Sequence, residues 1–106
     1  MNTENSIQSI IKAIQYEPLL TATISKKDIT NKLILCLGRY FNYALVKNDN
    51  IIYIGYTSNL YHRLVQHKTK NFNDILIMEF EDETTARKNE ILMIKSLHPQ
   101  LNHTQR

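Results

Sequence analysis

The sequence predicts a small α+β domain in which a largely antiparallel sheet is flanked by helices, behind a mostly helical N-terminal extension. Two short strand-like runs, Tyr43-Ala44-Leu45-Val46 and Ile51-Ile52-Tyr53-Ile54, enclose a polar turn of hairpin length, Asn48-Asp49-Asn50. A third strand-like run, Asp74 to Phe80, separates two helical stretches, so the order is strand, strand, helix, strand, helix. With 106 residues, 42% of them hydrophobic, the chain has room for one domain around one modest core.

The elements follow in order. Ile7, Ile10, Ile11 and Ile14 recur at helical spacing across 4–16, and Pro18 stops that helix. Leu19 to Ile24 reads as a short strand. Asp28 is placed to cap a second helical stretch through Leu37, with Gly38 at its end. Residues 1–40 are thus read as an extension packed on or next to the core, and residues 41–106 as the main domain. After the hairpin, Gly55 ends the second run, and Thr57 or Ser58 caps a helix to about Lys68. The strand 74–80 follows. Glu81, Asp82 and Glu83 then place acids in the first turn of a long helix that runs to about Leu97, before Pro99.

Formal net charge is +3 and the pI about 9.0, which permits a polyanionic partner without demanding one. Distribution says more. Between Tyr61 and Lys70 stand His62, Arg63, His67, Lys68 and Lys70 with no acid, whereas Glu79, Glu81, Asp82 and Glu83 cluster elsewhere. A phosphate backbone favours the first patch and avoids the second; two ordinary solvated patches are the plainer reading. No apolar run approaches the ~20 residues that span a bilayer, so no membrane partner is expected. The N-terminus lacks the pattern of a signal peptide. Cys36, the single cysteine, lies in the apolar run 33–37, cannot form an internal disulfide and reads as a small core residue. The expected compartment is a reducing cytoplasm. The Asn-, Ile- and Lys-rich composition points to an AT-rich genome, and for a phage protein the host interior would take that place.

Three places carry candidate chemistry. On the helix 58–68, Asn59, Arg63, Gln66 and His67 are expected on one face, with Leu60, Tyr61, Leu64 and Val65 on the other. Arg63 and His67, four residues apart, can meet one ligand: a guanidinium grips a phosphate through paired donors, and an imidazole exchanges a proton near neutral pH. A solvated polar face is the bland alternative. On the long helix, Ala86, Met93, Ile94 and Leu97 all fall within about 60° of Glu90, which predicts a carboxylate in the middle of the core-facing stripe. A buried acid must be paired or bind a metal, so a structural ion pair competes with a functional site. Leu92 falls on the opposite face and needs a cover, for which the extension is one candidate. Tyr43 and Tyr53, on the paired runs, are expected to present their hydroxyls on one side of the sheet, though tyrosine also serves strands by packing alone.

Taken in order, these residues resemble the GIY-YIG nuclease family. The second half-motif stands as Tyr53-Ile54-Gly55, extended by Tyr56-Thr57-Ser58-Asn59-Leu60. Arg63 follows ten residues after Tyr53, His67 one turn later, Glu90 lies in Ala86-x-x-x-Glu90, and Pro99-Gln100-Leu101-Asn102 is similar to the family's closing Pro-x-Leu-Asn. The match spans 41–102. Phe41-Asn42-Tyr43 departs from it: the glycine and isoleucine of the first half-motif are missing and only its tyrosine survives. Tyr56 also stands where many relatives carry lysine.

The resemblance implies a three-stranded antiparallel sheet flanked by helices and hydrolysis of a DNA phosphodiester through one divalent ion per site, Mg²⁺ or Mn²⁺, held by Glu90. Arg63 would hold the phosphate. Tyr43 would act as general base or position the water, with Tyr53 orienting that water and His67 as the rival proton acceptor. Gly55 and Asn102 would support the site, and Lys47, His62, Lys68 and Lys70 would contact nucleic acid. Residues 1–40, with five basic and three acidic side chains, hold no recognisable recognition helix. With one site per chain, cutting both strands requires a homodimer or two successive events. A fold retained for nucleic-acid binding without catalysis is the competing reading.

Overall fold

The computed structural model describes residues 3–30 and 39–105. Helix α1 (Glu4–Ala13) is followed by strand β1 (Leu20–Ser25) and a 3₁₀ turn (Lys26–Thr30). Strands β2 (Tyr40–Lys47) and β3 (Asn50–Thr57) form the hairpin. Helix α2 (Leu60–Gln66), strand β4 (Asp74–Phe80), helix α3 (Glu83–Leu97) and a closing 3₁₀ segment (Gln100–Gln105) complete the order. Among the described residues the sheet has four strands in the order β1-β4-β2-β3, every pairing antiparallel. The expected sheet of three strands therefore gains a fourth, because β1 from the N-terminal region pairs along the whole of β4, from Leu20 opposite Glu79 to Ser25 opposite Asp74. The expected helix from Asp28 to Leu37 falls largely outside the described residues, as do Cys36 and Gly38. Asp28 itself lies in the 3₁₀ turn, its carboxylate accepting from the Ser25 N–H and hydroxyl at 3.1 Å.

Each face of the sheet buries its own core. Tyr43, Leu45, Tyr53, Ile75 and Ile77 face α2 and the 3₁₀ turn, meeting Leu60, Leu64 and Ile29. Ala44, Val46, Ile54, Leu76, Met78 and Phe80 face α1 and α3, meeting Ile10, Ala13, Ala86 and Met93. This is the alternation a strand imposes when both faces are covered. On α1 only part of the isoleucine stripe is used: Ile10 is buried, while Ile11 remains 57% exposed.

The hairpin turn is tighter than a three-residue turn. Asn48 and Asp49 alone form it, with φ of 50° and 61°, the left-handed pair that matches strand twist and that Asn and Asp tolerate. Asn50 already belongs to β3, opposite Lys47. A regular ladder from that turn would put Tyr43 opposite Ile54 and Tyr53 opposite Ala44, sending the two tyrosines to opposite faces. Instead Ile52 is accommodated as a bulge between the pairs Val46–Ile51 and Leu45–Tyr53, so Tyr43 pairs with Gly55 and both tyrosines point to the α2 side.

The N-terminal region is tied down at several points. Asp49, at the hairpin tip, accepts from the backbone N–H groups of Asn5 and Ser6 at 3.1 and 2.9 Å, capping α1 from outside the helix. These two bonds, with the buried surroundings of Ile10 and Ala13, set α1 beside α3.

Candidate active site

The loop leading into α2 is built by its own side chains. Thr57 Oγ1 donates to the Asn59 carbonyl and accepts from Asn59 N–H, and Asn59 Oδ1 caps the helix by accepting from His62 N–H at 3.1 Å. The cap is therefore Asn59, not Thr57 or Ser58, because the helix must start at Leu60 to bury that side chain. The expected division of α2 into a polar and an apolar face also needs correction. Leu60, Leu64 and His67 share the buried row, whereas Val65 and Gln66 are exposed. Seven residues return a helix almost to its starting angle, so His67 sits beneath Leu60 and points inward at 6% exposure.

That inward turn brings three predicted residues together. Tyr43 Oη lies 2.8 Å from His67 Nε2. The Tyr53 ring completes the cluster, its centroid 6.0 Å from that of Tyr43 and 5.0 Å from that of His67. Burial pushes the Tyr43 phenol well above its ordinary value and neighbouring Tyr53 adds to this; the Arg63 guanidinium opposes the shift without reversing it. Burial, aided by the positive charges of Lys70 and Arg63, pushes His67 down to about 4. At neutral pH the pair is therefore a phenol and an uncharged imidazole sharing one hydrogen bond. Gly55 makes this possible: a Cβ built there would stand 2.7 Å from Tyr43 Cε1 and closer still to Cζ and Oη.

Arg63, whose guanidinium acts on both Tyr43 and His67, also faces a cleft that Glu90 lines. Arg63 and Glu90 line this one polar cleft of about 410 Å³ with Tyr56, Thr57, Ser58, Asn59, His62 and Arg87 at the end of β3. Glu90 is half-buried rather than central to the core stripe. The fully covered row of α3 is Ala86, Asn89 and Met93, turned about 65° from Glu90 at 100° per residue, and this leaves the carboxylate at the rim. Leu92 is half-buried. The α3 helix begins at Glu83, later than Glu81, because Asp82 caps it, accepting from Thr85 N–H at 2.7 Å.

The remaining predicted residues divide. Asn102 is buried and acts as a two-point clip on β3: its Oδ1 accepts from Ile54 N–H at 2.8 Å and its Nδ2 donates to the Ile54 carbonyl at 2.9 Å, holding the strand between Tyr53 and Gly55. His62 is exposed on the cleft wall. Lys68 is exposed and Lys70 half-buried just beyond α2. Lys47 stands at the other end of the hairpin, four residues or about 13 Å along the strand from Tyr43; the fold does not bring it to the cleft. Three residues escaped the sequence reading. Arg87 lines the cleft with its guanidinium 4.4 Å from the centre of the Tyr56 ring and an ion pair to Glu83 at 2.8 Å. Asn42 and Asn89, both fully buried, bond to one another. An amide in an otherwise apolar strand, and an Arg one turn before Glu90, were the available signals.

As a metal centre the cleft offers Glu90 and, among the described residues, no group of three His, Cys, Asp or Glu side chains. A single carboxylate in a polar, open cleft suits a hard ion such as Mg²⁺, which keeps much of its water and takes further oxygens from a substrate phosphate. It does not suit zinc, which needs three or four protein ligands.

Residues 39–103 match the family model described as the GIY-YIG catalytic domain. The fold is similar to the crystal structure of the GIY-YIG N-terminal endonuclease domain of UvrC from Thermotoga maritima bound to its catalytic divalent cation, magnesium. That likeness has a TM-score of 0.60 at 21% identity and covers 72% of this chain and 97% of that one. A point mutant of the same domain, also bound to its catalytic divalent cation, gives 0.58 at 21% identity over 70% and 93% of the two chains. No sequence among curated proteins matches significantly.

Proposed function

Since the chain belongs to the GIY-YIG catalytic-domain family, we propose that it is a metal-dependent endonuclease that hydrolyses DNA phosphodiester bonds. The observation that carries this reading is the convergence of Arg63 and Glu90 on one polar cleft, with the Tyr43–His67 hydrogen bond beside Arg63. Phosphodiester hydrolysis needs a positioned nucleophile, neutralised phosphate charge and help for the leaving oxygen. The cleft holds Arg63 and Glu90 for the charge and the leaving oxygen, and Tyr43 stands behind Arg63 for the nucleophile.

In this reading Arg63 grips the non-bridging phosphate oxygens through its paired donors. Glu90 holds the divalent ion, Mg²⁺ or Mn²⁺, which when bound neutralises charge on the scissile phosphate and the leaving oxygen. Tyr43 orients the attacking water. Burial keeps Tyr43 a phenol and pulls His67 down to about 4, so at neutral pH the pair orients that water through their shared hydrogen bond, and the water's proton leaves to solvent. The tyrosine and histidine thus act together as positioning groups rather than as rival bases. Tyr53 walls the pair, Gly55 leaves room for the Tyr43 ring, and Asn102 fixes the strand that carries both. His62, Lys68 and Lys70 extend the positive surface along which the DNA backbone would lie.

Purified protein incubated with duplex, single-stranded or branched DNA and Mg²⁺ should cut at least one of them, and Arg63→Ala and Glu90→Ala should each lose cutting by 100-fold or more, on the order of 3 kcal/mol of transition-state stabilisation. Metal-dependent cutting that survives both substitutions overturns the assignment. DNA binding with no turnover on any of the three substrates replaces it with a non-catalytic binding module.

A further inference from the structure

The first half-motif is altered at Asn42, and the structure gives that alteration a partner. Asn42 lies on β2 beside Tyr43 but points to the opposite face, where it is fully buried against α3. Its Nδ2 donates to the Ala86 carbonyl at 2.9 Å, and its Oδ1 accepts from Asn89 Nδ2 at 2.9 Å. Asn89 is equally buried, and its Oδ1 accepts from Gln15 N–H at 3.1 Å. Three bonds therefore join a strand, a helix and the segment after α1 at one point inside an otherwise apolar contact.

Apolar burial is non-directional and by itself specifies the rotation of a helix over a sheet only through shape. Paired amides behave differently: they bond only in one relative position, and leaving either buried without its partner is expensive. The chain positions of the two residues give this clamp its consequence. Asn42 is the neighbour of Tyr43, and Asn89 is the neighbour of Glu90. Rotating α3 by one residue would swing Glu90 by about 100° and carry it out of the cleft.

We propose that Asn42 and Asn89 are a matched pair of positioning residues that sets the rotation of α3, and through it the place of Glu90 relative to Arg63 and Tyr43. The proposal rests on the reading of Glu90 as the metal ligand.

The test compares wild type with Asn42→Ile, Asn89→Leu and the double variant, following melting temperature, Mn²⁺ affinity by electron paramagnetic resonance, and cleavage. Each single variant should lose stability, because it strands a buried amide. The double variant removes both amides and leaves only the Gln15 N–H to find another acceptor, so its melting temperature should recover most of what the single variants lose, while Mn²⁺ binds roughly 10- to 100-fold more weakly and the Mg²⁺ needed for half-maximal cleavage rises by the same factor. A double variant that binds Mn²⁺ with wild-type affinity overturns the proposal by showing that the pair only packs. Should the double variant fail to fold, Asn42→Ser, which removes the donor to Ala86, carries the same expectation, and wild-type Mn²⁺ affinity there is equally fatal. Glu90→Gln separates the two levels: Mn²⁺ affinity unchanged by that substitution removes the metal assignment itself.

Discussion

Replacing Gly55 by alanine adds one methyl group directly against the Tyr43 ring. The new carbon would stand 2.7 Å from Cε1 and nearer to Cζ and the hydroxyl, where ordinary carbon contacts settle at about 3.5–4.0 Å. The ring would have to move by roughly 1 Å to clear it. Tyr43 has no exposed surface to move into and its hydroxyl is bonded to His67. Overpacking of this kind costs about 1–3 kcal/mol, and losing the hydroxyl–imidazole bond adds about 1 kcal/mol. At about 4–8 °C per kcal/mol for a domain near this size, the melting temperature should fall by roughly 10–30 °C. The sign is diagnostic, because alanine in place of glycine within a strand ordinarily stabilises by about 0.5–1 kcal/mol. Calorimetry or circular dichroism reads the melt, and cleavage of DNA reads the site. An unchanged or raised melting temperature would refute the close approach of Tyr43 to Gly55. In a Tyr43→Leu background the same alanine should cost little, since no ring remains for it to meet, and the two effects should be strongly non-additive.

Three further outcomes are expected. His67 should titrate by NMR near pH 4. Its folded value lies below the ordinary 6.5, so the unfolded chain binds more protons between about pH 4 and 6.5; stability should rise with pH across that window, by at most about 3 kcal/mol, and be flat above it, and His67→Gln should abolish the rise. Asp49 is held below its ordinary carboxyl value chiefly by the Ser6 N–H, so its contribution is present above that value and lost as pH falls through the lower folded one; hydrogen exchange should show the Asn5 and Ser6 amides losing protection there, and Asp49→Ala losing it already at neutral pH. Arg87→Ala should weaken DNA affinity several-fold and raise KM, with little change in kcat or melting temperature, because an exposed pair contributes little to stability; Arg87→Lys should recover part of the affinity.

Strand β4, the hairpin and both flanking helices were legible because period-2 and period-3.6 patterns follow directly from which faces are covered. Less legible was which residue sits at the centre of a face. His67 reads as polar by type, yet its angle on α2 places it with Leu60 and Leu64. Glu90 reads as central because Ile94 and Leu97 were counted with the core, whereas the amide of Asn89, polar by type, holds the covered row. In both cases a buried hydrogen bond, to Tyr43 or to Asn42, offsets the desolvation that a hydropathy pattern assumes to be prohibitive. The fourth strand was legible as a strand but not as a member of this sheet, since pairing between β1 and β4 joins residues some fifty positions apart and leaves no local trace.

The bulge at Ile52 divides the hairpin into two sections with separate accounts of length. Beyond it, Val46–Ile51 follows the turn; before it, Leu45–Tyr53 and Tyr43–Gly55 follow the site. A chain lacking Ile52 would run as an unbroken ladder and still seat both tyrosines on one face. Losing Ile54 would instead either move Gly55 from Tyr43 to Ala44 or turn Tyr53 to the other face. Insertions and deletions in this hairpin should therefore accumulate at its tip over evolutionary time, where the bulge absorbs an odd residue, while the spacing next to the chemistry stays constant.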